Sequence, residues 1–157
     1  MIEIDSVVIE SCKQHLRGAC GDTLDKLEDA NYKVIIDDCL KYLDRYNGEG
    51  RKFDFVFNDL TDIPLSSEKT EVGRDLWNFV KKILNKSFKC LKSDGYYMNH
   101  AVGTSCVSAL NAYEKVLNEL PFKVNFTRST RWVPSFLENW VFYQVRLADD
   151  DEQIKAE

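Results

Sequence analysis

The strongest constraint on this chain is an alternation. Short runs of β-branched and aromatic residues, each closed by an acid, take turns with longer stretches of helical periodicity. Met1 to Ile4 reads as the end of a strand, closed by Glu3 and Asp5. Val7, Val8, Cys12, His15 and Leu16 then follow helical spacing, with Gly18 as the expected stop. Tyr32 to Ile36 is a second strand, ending in Asp37 and Asp38, and a short helix follows through Leu40, Leu43 and Tyr46 until Gly48 and Gly50. Phe53-Asp54-Phe55-Val56-Phe57 is the clearest strand and ends at Asn58-Asp59. A loop with Pro64, Ser66 and Ser67 leads to the longest helix, with apolar positions at Val72, Leu76, Trp77, Val80, Ile83, Leu84, Phe88 and Leu91. Asp94-Gly95 predicts a turn into the strand Tyr96 to Met98, and a helix is expected from about Thr104 to Leu120, capped by Thr104 or Ser105. Two final strands, Lys123 to Thr127 and Trp140 to Val145, suit an antiparallel edge. Strand and helix in this order mean an α/β sheet with right-handed crossovers.

In such sheets ligands sit beyond the carboxyl ends of the strands. Three successive strands carry acids at that end: Glu3 with Asp5, Asp37 with Asp38, then Asp59. One acid would be an ordinary polar turn, whereas three along one rim favour a functional cleft. A carboxylate has two acceptor oxygens, which suits both hydroxyls of a ribose, and Glu3 fits that task. Asp38 is placed to accept from an adenine amino group, and Asp59 stands where a reacting group would lie. The competing reading is that Asp37 and Asp38 only cap the next helix, where negative charge suits the dipole. A cap is worth about 1 kcal/mol and accounts for one acid of the two. No glycine-rich phosphate or nucleoside loop follows a strand; Gly48-Glu49-Gly50 comes after a helix and reads as a turn.

Charge and cysteine usage narrow the function classes. With 21 Lys and Arg against 26 Asp and Glu the net charge is −5, so nothing favours a nucleic-acid backbone as partner. The five cysteines (Cys12, Cys20, Cys39, Cys90, Cys106) form no CxxC pair, and the two histidines, His15 and His100, stand far apart. Neither a structural metal site nor a disulfide framework is expected, and the thiols read as small apolar side chains in a reducing compartment. No apolar run approaches the ~20 residues that span a bilayer, and Glu3 and Asp5 directly behind Met1 leave no signal peptide, so the expected location is the cytoplasm. Trp77 lies on the apolar face of its helix and reads as core, and Trp132 stays open. Cys39 reads as a pocket wall rather than a nucleophile, because no His or Lys is its neighbour. His100 is open between lining the cleft and lying at the surface.

Three segments carry a family resemblance: Ile36-Asp37-Asp38-Cys39, the run from Phe53 to Leu60-Thr61, and Val133-Pro134-Ser135-Phe136-Leu137-Glu138-Asn139-Trp140. With them the chain resembles the carboxyl-terminal catalytic region of the spermine synthases, within the aminopropyltransferase family. Spermidine synthases typically have Asp-Ser-Ser-Asp-Pro at the second place and Gln-Gly-Gly at the third, where this chain has Asn-Asp-Leu-Thr and Leu-Glu-Asn. The resemblance implies a Rossmann-like, class I methyltransferase-like sheet with an antiparallel carboxyl-terminal strand pair. It implies a partial catalytic domain over 1–147 and a charged, flexible tail over 148–157.

The implied reaction moves an aminopropyl group from decarboxylated S-adenosylmethionine, a co-substrate, to spermidine, giving spermine and methylthioadenosine with no metal or redox cofactor. By family match Asp59 would accept or orient the proton of the attacking amine. Glu138 would hold a cationic amine, Phe136 would flank the polyamine chain, and Glu3, Asp38 and Cys39 would contact the nucleoside. Phe136 stands where the family usually has tyrosine. Relatives carry further upstream a first strand with a glycine-rich loop, a catalytic aspartate and an amino-terminal dimerisation domain. The resemblance therefore implies a fragment, inactive and poorly folded by itself, of an enzyme that pairs as a homodimer. The alternatives are a non-catalytic nucleoside- or polyamine-binding remnant of the same fold, a spermidine synthase, or, more weakly, a methyltransferase. The Asn-Pro-Pro-Tyr type motif of amino-group methyltransferases is lacking.

Overall fold

The computed structural model describes residues 1–60, 63–65 and 70–148. Thr61, Ser66 and Ser67 of the expected loop, and the tail from Asp149 on, lie outside the described residues. Contacts divide the chain into two compact units, Met1–Arg45 and Tyr46 onwards. No helix among the described residues is long and apolar enough to cross a membrane.

In the first unit β1 (Ile2–Glu3) pairs in parallel with β4 (Ile35–Ile36), Glu3 standing opposite Ile36. Parallel pairing requires a long crossover. It is supplied by α1 (Ser6–His15), α2 (Arg17–Cys20) and a small antiparallel hairpin of β2 (Glu28–Asp29) and β3 (Tyr32–Lys33). Asp5 caps α1, its Oδ1 accepting from the Val7 N–H at 2.8 Å. Three expectations are corrected here. Gly18 lies inside α2, and the left-handed residue that ends it is Gly21 at φ 58°. Val7 and Val8 are exposed while Ile9, one position on, is the buried residue of α1. Tyr32 to Ile36 is not one strand: it breaks at Val34, whose N–H turns to the Leu27 carbonyl at 2.6 Å. Pairing with two different partners splits a run that is continuous in the sequence. The unit closes on the first turns of α3 (Cys39–Gly48).

The second unit is a four-stranded mixed sheet in the order β5-β6-β8-β7, formed by β5 (Phe53–Asn58), β6 (Leu91–Gly103), β7 (Val124–Val133) and β8 (Glu138–Leu147). β5 and β6 run parallel, and β8 runs antiparallel to both β6 and β7. Alternation puts Tyr97, Asn99 and Ala101 of β6 and Val141, Tyr143 and Val145 of β8 inside. They meet Trp77, Leu84 and Phe88 of α4 (Glu71–Lys89) and Leu110, Tyr113 and Leu117 of α5 (Val107–Asn118) in one cluster. Trp77 is core, as its helical position predicts. The long helix starts at Thr70, whose hydroxyl accepts from the Gly73 N–H at 3.0 Å.

Here too the outline holds and details move. Val72 is exposed, and Leu91 opens β6 rather than closing α4. Asp94-Gly95 is not a turn between elements but a bulge within β6, where Asp54 alone stands opposite Lys92 to Gly95. A Cβ on Gly95 would sit 2.9 Å from the Asp54 carbonyl oxygen, so the bulge needs a glycine. Helix α5 begins at Val107 with Cys106 at its cap position, and neither Thr104 nor Ser105 serves as cap. The two final strands are ten residues each, joined by the four residues Pro134 to Leu137. Leu137 is the one non-glycine residue with positive φ among the described residues, at 53°.

Candidate active site

The first unit gathers one set of acids. Parallel pairing of β1 with β4 brings the ends of both strands level, and the Asp37 N–H donates to the Glu3 carbonyl at 3.0 Å. The Glu3 carboxylate accepts from the Asp5 N–H at 2.9 Å, which turns it over the strand end. Asp38 is the cap of α3, with Oδ1 accepting from the Leu40 N–H at 2.8 Å. Asp37 instead takes Lys41 Nζ at 2.9 Å and the Asp38 N–H at 2.7 Å on its Oδ1. The Lys41 hydrogen bond, then the backbone one, hold the Asp37 carboxyl below its usual range. Both acids thus have local structural work, one as cap and one as ion pair. Cys39 opens the helix behind them; burial first, and the Asp38 charge second, push its thiol up, which keeps it protonated and suits a wall better than a nucleophile.

The second unit carries Asp59, Phe136 and Glu138. Asp59 follows the last residue of β5, and its side chain is 90% exposed. Its Oδ1 lies 2.9 Å from Nε2 of His100, on the neighbouring β6. One position earlier, on the opposite face, Asn58 stands opposite Asn99 in the ladder, and Asn58 Nδ2 donates to Asn99 Oδ1 at 2.9 Å. Asn99 Nδ2 donates in turn to the buried Tyr113 hydroxyl at 3.2 Å, tying β5 and β6 to α5. Burial raises the Tyr113 hydroxyl far above its usual range, so it stays neutral. A cavity of ≈ 10 Å³, about the size of one water, lies among Asn58, Tyr97, Asn99 and Tyr113.

Glu138 opens β8, opposite Val133. Its Oε1 accepts from the Ser105 N–H at 3.0 Å, and its carboxylate lies directly over Gly103, where a Cβ would collide with it. The Ser105 backbone N–H, then the Ser105 side chain, lower the Glu138 carboxyl below its usual range, which keeps it ionised. Phe136 packs on Trp140 with ring centroids 4.3 Å apart and remains half exposed. Because β6 lies between β5 and β8, Asp59 and Glu138 project from strands about 10 Å apart across the sheet.

The expected site residues therefore lie at strand ends, at the start of α3 and in the β7–β8 turn. Glu3, Asp38 and Cys39 belong to the first unit, and Asp59, Phe136 and Glu138 to the second. The partners that hold them carry little signal in the sequence. His100 reads equally as cleft or surface, Ser105 as one of two candidate helix caps, and Gly103 as an ordinary glycine. Only the ladder registers of β6 against β5 and β8 bring these three to the acids.

Comparison with known proteins matches the chain to a family. The family model described as "Spermine/spermidine synthase domain" matches residues 1–155. A polyamine aminopropyltransferase of Pyrobaculum arsenaticum is 34% identical over 139 residues, covering 87% of this chain and 44% of the relative. One of Pyrobaculum aerophilum is 31% identical, covering 100% of this chain and 50% of the relative. The chain thus spans about half the length of these curated relatives. Among solved structures, the spermidine synthase of Thermotoga maritima has a TM-score of 0.62 at 14% identity, covering 93% of this chain and 42% of that one. Human methyltransferase-like protein 13 in complex with SAH has a TM-score of 0.60 at 16% identity, covering 95% of this chain and 60% of that one. These two likenesses establish the methyltransferase-like Rossmann fold, and with the match along nearly its whole length the chain belongs to the spermine/spermidine synthase domain family.

Proposed function

We propose that this chain carries acceptor and nucleoside contacts of an aminopropyl transfer in which decarboxylated S-adenosylmethionine donates to spermidine. An amine nitrogen of the acceptor attacks the carbon beside the sulfonium. A C–N bond forms, the C–S bond breaks, and its electron pair stays on sulfur as methylthioadenosine leaves. The nitrogen must shed a proton to attack, and Asp59 takes it. The observation that carries this reading is the Asp59 carboxylate itself: it stands at the carboxyl end of β5, open to solvent, with one oxygen occupied by His100. An ionised carboxylate in that position both attracts a protonated polyamine and accepts its proton, general-base work that is typically worth 10²-fold or more.

Glu138 answers a second positive charge. Held ionised by Ser105 and two strands across the sheet from Asp59, it meets a different nitrogen of an extended polyamine. The Phe136–Trp140 pair supplies an apolar wall for the methylene chain between charges. Glu3 takes the ribose hydroxyls, Asp38 the adenine amino group through the carboxylate oxygen that does not cap α3, and Cys39 lines the base. Spermidine rather than putrescine is the acceptor because Leu60-Thr61 and Leu137-Glu138 follow the spermine synthase pattern. A second reading, putrescine as acceptor, is favoured by one observation: a solved neighbour is a spermidine synthase.

The test is methylthioadenosine release by the gene product carrying this sequence, with spermidine and putrescine offered in turn. Spermidine should give the higher kcat/KM, and a preference for putrescine would select the second reading. Asp59→Asn keeps shape and removes the base, so turnover should fall by about 10²-fold. Near-normal turnover in that variant would remove Asp59 from the reaction.

A further inference from the structure

The rim of the second unit holds one residue, His100, to which the proposed reaction has given no role. His100 projects from β6 toward Asp59, with Nε2 at 2.9 Å from Oδ1, and its side chain is 20% exposed against 90% for Asp59. The pairing is built from below. Asn58 and Asn99 are ladder partners whose side chains bond to each other and then to Tyr113, all on the α5 face. That chain locks the register of β5 against β6 at the last residue of β5. Side chains alternate along a strand, so the next position on each strand turns to the other face. Asp59 and His100 are those positions.

From this geometry we infer that His100 is a positioning residue for Asp59: it binds Oδ1 and so presents Oδ2 to the attacking amine. An exposed carboxylate on a free rotor samples many orientations, and only a fraction of them receive the amine proton along the line of attack. A donor anchored in the adjacent strand removes that freedom before substrate arrives, as positioning contributions to catalysis require. The half-buried ring gives the anchor its rigidity. His100 acts with its Nε2–H as donor, so the proton taken from the amine goes to Oδ2 and no proton passes through the ring.

This inference rests on the role proposed for Asp59, and the experiment separates the two. The first measurement needs no turnover. In the chain labelled with ¹⁵N-histidine, His100 should show the Nε2–H tautomer with a slowly exchanging Hε2 proton. The signature should vanish in Asp59→Ala, a change at an exposed side chain that leaves the core untouched. His15 is the chain's other histidine and should not respond. The second measurement is kinetic: His100→Leu should lower kcat about tenfold with the KM for decarboxylated S-adenosylmethionine unchanged, and His100→Gln, whose amide N–H still reaches a carboxylate, should restore most of it. An Nε2 signal indifferent to Asp59→Ala would overturn the pair. Full activity of His100→Leu beside a dead Asp59→Asn would overturn the positioning role while leaving the base in place. An active Asp59→Asn would instead remove the reading beneath it.

Discussion

Glu138 shows how a single residue is made ready for charge. Its carboxyl is lowered because Ser105 donates to the ionised form, which is a statement about stability as well as binding. A carboxyl whose folded-state value is depressed stabilises the fold above its ordinary value, and that contribution is lost as pH falls through the depressed one. The melting temperature of the parent should therefore exceed that of Glu138→Gln near neutral pH, and the gap should close below about pH 4. Persistence of the gap in acid would mean that packing, not charge, holds the side chain. In the proposed reaction the same variant should raise the KM for spermidine with a smaller effect on kcat, since it removes ground-state binding of a cation. The run that holds Phe136 and Glu138 stands out in the sequence by its family resemblance, whereas the dependence of Glu138 on Ser105 does not. A hydrogen bond between residues 33 positions apart leaves no local signal.

At the scale of elements, the junction of β6 with α5 decides where Glu138 sits. Gly103 ends β6 opposite Trp140, and the Glu138 carboxylate occupies the space a side chain would take. Gly103→Ala should lower the melting temperature no more than Glu138→Gln does, because the obstructing atoms are the far end of a flexible side chain that can swing away and give up only its bond to Ser105. It should nevertheless raise the spermidine KM as Glu138→Gln does, and the double variant should be no worse than either single one. Additive losses would show that Gly103 acts on something else. Elements were legible in proportion to their length. The 19 residues of α4 and the alternation of β5 stand out, while the two-residue strand β2 exists only through its partner β3. The bulge at Asp94-Gly95 reads as a turn in sequence because the residues that favour turns also favour bulges.

The whole molecule divides its stability unevenly. In Met1–Arg45 only Ile9 and Val34 are buried apolar residues among those described, whereas the second unit holds a cluster running from Ile63 to Val145. Local opening is easiest where few apolar contacts must be broken. Amide exchange should therefore be fast at Glu3, Asp37 and the rest of the first unit, and slowest along β6 and β8. Equal protection in both units would contradict this division. If the nucleoside is held by Glu3, Asp38 and Cys39, methylthioadenosine should slow exchange in the first unit above all.

By itself the sequence determined the fold class, the longer helices and strands in their order, and the acids that close the strands. These depend on periodicity and on local chemistry, both of which act within a few residues along the chain. It could not decide which acid caps and which pairs, what stands opposite Asp59, or which glycine makes room for Glu138. The last two are settled by register: Asp59 meets His100 because Asn58 meets Asn99, and Glu138 meets Ser105 because Gly103 meets Trp140. Register is a property of two strands brought together, and a shift of one residue would turn every one of these side chains to the other face.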